Sequence, residues 1–477
     1  GTVKLSREGT VDTVTLKADA FARLAPYGGA PPTAEGHDLV TLSDVSPALV
    51  LHTLRLRYAA QHIYTALGGS ILLALNPYEQ LALTTPDEIV RRSVEGAADG
   101  APHVCSLVRA AHAALLDTRC DQAILVSGES GAGKTETTKL CLASLAAVSR
   151  SSGASTDAAL QSGLLLEAFG NARTVHNDNS SRFGRWVTVS LDSDGRIVGA
   201  AVKAYLLERS RVVGHAVGER TFHIMYQVAA AGAHHYLRPG GGAPPEAAAA
   251  PSDDDATWEA TCAQLSALGF SESNSAAVRA LLAGVLALGD LTFAGGGDGE
   301  VASLDGDVDG AAELLGVGAP RLREALLKTV VSSGRGSIYP VPLSAAACAD
   351  SRDALAKAAY AALFEWILAR LNARMAADDG AAAEHGFIGL LDVFGFENFE
   401  VNSLEQLCIN FANEKLQSQF IEASCAQQMR EMAEEGIDAG VIFDASVAAD
   451  AAAPLLLLEG KMGLLALLDE ECALPQG

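Results

Sequence analysis

Three short runs in this chain carry residue types suited to holding a phosphate chain, and long stretches separate them. The first is Gly128-Glu129-Ser130-Gly131-Ala132-Gly133-Lys134-Thr135, followed by Glu136, and it fits G-x-x-x-x-G-K-[ST]. In that pattern the backbone N–H groups of a glycine-rich loop wrap a phosphate, because glycines let the chain turn without Cβ clashes. Lys134 can reach β- and γ-phosphate oxygens as a point charge, and Thr135 can place its hydroxyl on Mg2+. A chance match somewhere in a chain of this length has odds on the order of a per cent. The second run is Asn177-Asp178-Asn179-Ser180-Ser181-Arg182-Phe183-Gly184, and the third is Asp392-Val393-Phe394-Gly395-Phe396-Glu397. They add hydroxyls for metal and phosphate, a glycine amide free of a Cβ, and an Arg and Glu able to pair. Together these are the parts a nucleoside-triphosphate switch requires.

The elements that must position these runs can be read from the pattern. Residues 123–127 form a short apolar run ending on glycine, so they predict a buried parallel strand feeding the first loop. Residues 135–147 predict the helix whose N-terminus faces the anion. Residues 186–191 and 196–202 flank Asp192-Ser193-Asp194-Gly195, which predicts a hairpin with an Asp-Gly turn. Residues 387–392 predict another buried strand, ending at the third run. Residues 402–419 predict a helix with Leu404, Leu407, Cys408, Phe411 and the stem of Lys415 on one side. Residues 46–58 have helical spacing in Leu49, Leu51, Leu54 and Leu56, with Asp44 and Ser46 as candidate caps. Alternation at 11–16 predicts a strand, whereas 238–255 and 294–310 read as solvated loops rich in Gly and acidic residues.

The set of motifs resembles the motor domain of myosins. Kinesin-like motors also carry N-x-x-S-S-R, but theirs continues into Ser-His and their third motif reads D-x-A-G-S-E. Here Phe183-Gly184 and Phe396-Glu397 stand in those places. Further blocks read like the family in family order: those beginning at Leu165, Tyr205, Glu219, Arg352 and Glu405, and a last one at 464–475. The resemblance covers roughly residues 40–473. It implies an α/β fold of the P-loop NTPase motor type, with a twisted, mostly parallel central sheet flanked by helices. A largely helical upper subdomain and an N-terminal β-rich remnant would complete it. Residues 1–40 would then be the β-barrel remnant, 41–230 the nucleotide core, 231–390 the actin-facing upper part, and 391–477 the third motif, relay helix and start of the lower part.

The resemblance also implies roles. ATP with Mg2+ is the expected cofactor. Ser181 would supply a second hydroxyl to the metal, Asp392 would hold a water on it, and Ser180 would lie against the γ-phosphate and attacking water. Asn177 would touch the nucleotide, the Gly395 amide would approach the γ-phosphate, and Arg182 and Glu397 would pair to shut the site. Asn76 and Pro77 resemble the loop packing the adenine base, although Thr84, Glu79 and Gln80 replace an aromatic and basic residues usual there. That thinning leaves a second function open, a motor-like tether that binds actin or nucleotide without cycling. Residues 328–343 resemble an actin-contacting loop, and Ser337 within it falls where many relatives carry an acidic or phosphorylatable residue. His176 stands where an Arg is commoner and reads as a tolerated variant. The lower actin-binding half, converter and lever arm, and with them any light-chain or calmodulin site, would lie beyond residue 477. A cytoplasmic, cytoskeletal location follows from the same resemblance.

Composition bounds the partners. The 477 residues carry a net charge of −24, which argues against nucleic acid and against long-range attraction to an acidic filament. Eight cysteines are scattered without a C-x-x-C pair, so they predict neither a disulfide framework nor a zinc site. No apolar run reaches the ~18 residues of a membrane span.

Overall fold

Apolar alternation and glycine-terminated strands build the part of the molecule that carries the three runs. The computed structural model of the 477-residue chain describes residues 2–7, 10–15, 33–42, 45–96, 100–151, 154–229, 234–238, 257–296, 300–332, 338–376, 385–437 and 453–473. These fall into two compact units: residues 1–79 with 97–103, and residues 80–96 with 104–477.

In the first unit, Thr2–Arg7 and Thr10–Thr15 form an antiparallel hairpin. The helix expected at 46–58 is Pro47–Ala59, with Pro at its first turn, where a missing N–H costs nothing. Its buried face differs from the expected leucine stripe. Leu49, Thr53 and Arg57 are buried, four residues apart, while Leu51 is exposed. The reason is Arg57, whose guanidinium donates to Ala34 O at 2.7 Å, Gly36 O at 2.6 Å, Tyr64 O at 2.8 Å and Thr65 Oγ1 at 2.9 Å. A buried cation held by these four hydrogen bonds outweighs the leucines.

The second unit is built on a four-stranded sheet in the order Gln122–Val126, Gly386–Asp392, Gly184–Leu191, Ile197–Tyr205. The first pair is parallel and the next two are antiparallel, so among the described strands the sheet is mixed rather than mostly parallel. One of the two antiparallel pairs has a local cause: the Asp-Gly turn returns Ile197–Tyr205 on Gly184–Leu191. The parallel pair is the functional one, because both strands end together, Asp392 opposite Val126, at the start of two of the runs. Gln122–Val126 is less buried than expected, with Leu125 37% exposed, as befits the outer strand of the four.

Helices cover the sheet. Lys134–Val148 and Ala154–Gly170 lie beside it, and the 31-residue helix Ala345–Met375 packs on Ala154–Gly170, on Ile197–Tyr205 and on Glu272–Gly289. Tyr360 of that helix donates to Phe169 O at 2.6 Å and stacks on Phe222 at 5.0 Å. Asn372 closes the free edge of the sheet: its Nδ2 donates to Val202 O at 2.9 Å and its Oδ1 accepts from Val202 N at 2.7 Å. Among the described residues no helix is long and apolar enough to cross a membrane.

Residues 294–310 depart from the expected loop. Thr292–Ala294 pairs with Ser303–Asp305, and Asp307 caps the helix Val308–Leu315 by accepting from Gly310 N at 2.8 Å. Of 238–255, only Arg238 is among the described residues. The helix expected at 402–419 is Leu404–Glu434, and Gln406 and Ile409 are its buried positions there, with Leu404 59% exposed.

Replacing Asn372 by Ala leaves two buried backbone groups of Val202 without partners. The urea midpoint should fall by an amount corresponding to about 2 kcal/mol, with an unchanged slope.

Candidate nucleotide-binding site

The first run sits between the strand Gln122–Val126 and the helix Lys134–Val148, within one residue of the expected bounds. Gly131 and Gly133 have φ of 80° and 90°, a left-handed region that L side chains rarely adopt. No side chain caps the helix at Gly133, so its first amides and its positive dipole end are available to an anion. Lys134 Nζ donates to Gly128 O at 2.7 Å and Glu129 O at 2.8 Å, which holds the ammonium over the loop. Burial pulls its pKa below the ordinary lysine value, and the carboxylates of Asp392, Glu397 and Glu129 oppose the fall. Glu136 is exposed and pairs with Lys139 at 2.7 Å, so it faces away from the loop's interior.

The third run closes on the first. A Cβ added to Gly395 would strike Gly128 O and lie 2.8 Å from Glu129 Cα, so only glycine permits this approach. Asp392 is 7% exposed, accepts from the Thr135 hydroxyl, and lies 3.4 Å from Arg185 Nη2. Burial raises the Asp392 pKa, against the opposing pull of Arg185 and Lys134. Thr135 and Asp392 therefore form a small oxygen cluster beside a cation, a donor set of the type that suits Mg2+. Ser181 donates instead to Phe183 O at 2.9 Å.

The second run joins the third through charge. Arg182 Nη1 and Nη2 meet Glu397 Oε1 and Oε2 at 2.5 and 3.1 Å, a two-pronged pair in which the side chains are 0% and 4% exposed. The same guanidinium donates to Ser180 Oγ at 3.4 Å and, through Nε, to Glu208 Oε2 at 2.6 Å. Arg211 extends the chain, bonding Glu208 at 2.6 Å and Glu219 at 2.9 Å. Burial alone would lower the Arg182 pKa, but Glu208 and Glu397 more than offset it and hold the group above its ordinary value. Burial pushes Glu208 up, and Arg182 and Arg211 overcome that and bring it below the usual carboxylate value. Glu397 is fixed further by Gln406 Nε2 at 3.2 Å and by two backbone bonds to Asn410, at 2.8 and 2.7 Å. Asn177 flanks the loop: a Cβ on Gly131 would sit 4.0 Å from its Nδ2.

The structure thus gathers the loop with Thr135, Asp392 and Gly395, and separately Ser180 with Arg182 and Glu397. Asn76 belongs to the first unit, where its Oδ1 accepts from Tyr78 N at 2.9 Å, and Pro77 lies between them. Thr84 belongs to the second, where its hydroxyl donates to Leu81 O at 3.0 Å. Glu208, Arg211, Glu219, Gln406, Asn410 and Arg185 were not singled out by sequence reasoning. The available signal was charge inside apolar runs, as in Leu206-Leu207-Glu208-Arg209-Ser210-Arg211-Val212.

A family model described as Myosin head (motor domain) matches residues 36–477 of the chain. The chain belongs to the myosin motor-domain family. It is 36% identical to unconventional myosin-Vb of Rattus norvegicus over 461 residues, which is 92% of this chain and 24% of that protein. Against unconventional myosin-Ia of Rattus norvegicus it is 36% identical over 458 residues, 92% of this chain and 53% of that protein. Against Myosin-51 of Schizosaccharomyces pombe it is 37% identical over 460 residues, 92% and 31% respectively. The chain thus spans a quarter to about half the length of these myosins. Family membership accounts for the order of the three runs and for the α/β fold around them.

Glu208 makes an acid-dependent prediction. Its folded pKa lies below the unfolded value near 4.5, so its stabilisation is complete above that value and is lost as pH falls through the folded pKa. Glu208→Gln should lower stability near neutral pH by about 3 kcal/mol and flatten the loss below pH ~4.5. Urea melts across pH check both.

Proposed function

We propose that this chain is the ATP-hydrolysing switch of an actin-based cytoskeletal motor, with turnover coupled to filamentous actin in the full-length protein. The observation that carries the reading is the dry, two-pronged Arg182–Glu397 pair linking the second and third runs. Phosphoryl transfer gains chiefly from positioning and charge stabilisation, and such a pair excludes bulk water while fixing the groups around one molecule. Bound Mg·ATP supplies the phosphoryl group and the divalent charge on its oxygens.

The chain's own residues do the rest. The amides of Gly128 to Thr135 and the ammonium of Lys134 would hold the phosphates. Thr135, Ser181 and, through a water, Asp392 would hold the metal, whose charge would stabilise the phosphoryl oxygens. Ser180, already bonded to Arg182, would orient the attacking water. The Gly395 amide would face the γ-phosphate because nothing projects from its Cα. Asn177 would steady the nucleotide from the flank of the loop.

In the segment proposed to face actin, Lys328–Ser332 pairs antiparallel with Ile338–Pro342. Val330, Tyr339 and Val341 are exposed on it, 66%, 54% and 41%, and Lys328 is paired with Glu324 at 3.6 Å. With a net charge of −24 on the chain, contact here is short-range and apolar rather than steered. Ser337 lies outside the described residues.

The test is Mg·ATP turnover by the full-length protein, with and without filamentous actin. Glu397→Ala should cut turnover by about 100-fold or more while nucleotide still binds. The double exchange Arg182→Glu with Glu397→Arg should recover more than either single change, yet fall short of wild type, because a carboxylate at 182 faces Glu208. Nucleotide binding without turnover in the wild type would contradict the motor reading and favour a tether.

A further inference from the structure

His176 and Phe399 stack face to face, with ring centroids 5.6 Å apart and planes inclined by 15°. The two rings belong to the same two segments that Arg182 and Glu397 join. His176 lies just before Asn177 in the second run, and Phe399 lies just after Glu397. We infer that this stack is a second latch between the two segments and that His176 is a positioning residue for the nucleotide site. The inference rests on the function proposed above for what the latch does, though not for whether it exists.

Both rings are held by their own backbones. The turn carrying His176 is fixed by Thr174 N to Asn177 O at 2.9 Å, by Asn177 N to Thr174 Oγ1 at 3.3 Å, and by the Arg173–Asp178 pair at 2.9 Å. Phe399 is gripped by Asn402 on both sides, its N donating to Oδ1 at 2.9 Å and its O accepting from Nδ2 at 2.8 Å. Asn402 lies two residues before the start of the helix Leu404–Glu434. The stack therefore connects two preset turns rather than two loose side chains, and offset parallel rings at this separation attract.

The two latches differ in kind. The Arg182–Glu397 pair is charged and dry. The His176–Phe399 pair lies at the surface, with His176 exposed and Phe399 half-buried. Because His176 is exposed, removing its ring opens no cavity, and global stability should stay unchanged. What changes is the hold on Asn177, whose Nδ2 lies against Gly131 of the phosphate loop.

The experiment uses the full-length protein and five forms: wild type, His176→Ala, Phe399→Ala, the two alanine changes together, and His176→Phe. Amide hydrogen exchange without nucleotide, across 171–184 and 395–402, reads the latch independently of turnover. Both alanine variants should exchange faster in both segments, by about three- to tenfold, and His176→Phe should match wild type. Mg·ATP turnover should fall by a similar factor in the alanine variants, with nucleotide affinity nearly unmoved and, for His176→Ala, the melting temperature retained. The double alanine variant should be no worse than either single. Unchanged exchange overturns the latch. Faster exchange with unaltered turnover overturns the positioning role. A wild type that shows no turnover but the expected exchange pattern removes the proposed function and leaves the latch standing.

Discussion

A guanidinium with no access to water must be fully paired, and Arg182 is that group here. Its backbone is pinned as well, by Arg182 N to Gly170 O at 2.8 Å and Glu208 N to Arg182 O at 3.0 Å. On one side it needs Glu208, which in turn needs Arg211, which needs Glu219. On the other it needs Glu397. Two guanidinium groups and three carboxylates thus alternate through the interior, and no member can be removed without stranding its neighbour. Four separate stretches of chain are held together by this one requirement.

The same constraint links the site to the long helix beyond it. Glu397 is bound at its side chain by Gln406 and at its backbone by Asn410, while Asn413 donates to Phe394 O at 3.0 Å. The third run therefore cannot shift without carrying the start of Leu404–Glu434 with it. Gly395 sits against the phosphate loop at the other end of the same run. In physical terms, a change of a few tenths of an ångström at the loop meets a helix of 31 residues through a short, fully bonded segment. That is the arrangement a motor needs between its fuel site and its moving parts, and it is why the proposed function follows from the pair rather than from the loop alone.

How much of this the sequence discloses depends on whether the cause is local. The strand, loop and helix around Lys134 were readable to within a residue, because glycine placement and apolar runs act over a few positions. The Arg182–Glu397 pair was readable only through resemblance, since nothing local ties residues 215 positions apart. Arg57 was invisible in its leucine-rich helix, because the carbonyls that bury it come from other segments. The helix after the third run is legible from the spacing of its leucines, but its buried side carries Gln406 and Ile409, with Asn410 and Asn413 serving the site. Residues 294–310 looked like solvated loop by composition, and strand pairing with a capped helix overrode that composition.

The central claim is that Arg182 and Glu397 act as one unit. It is tested most directly by a double-mutant cycle, measuring Mg·ATP turnover for Arg182→Met, Glu397→Gln and both together in the full-length protein. The account predicts that the double change costs no more than the worse single change, because either one already breaks the pair. Losses that simply multiply would mean the two residues work independently, and would contradict it.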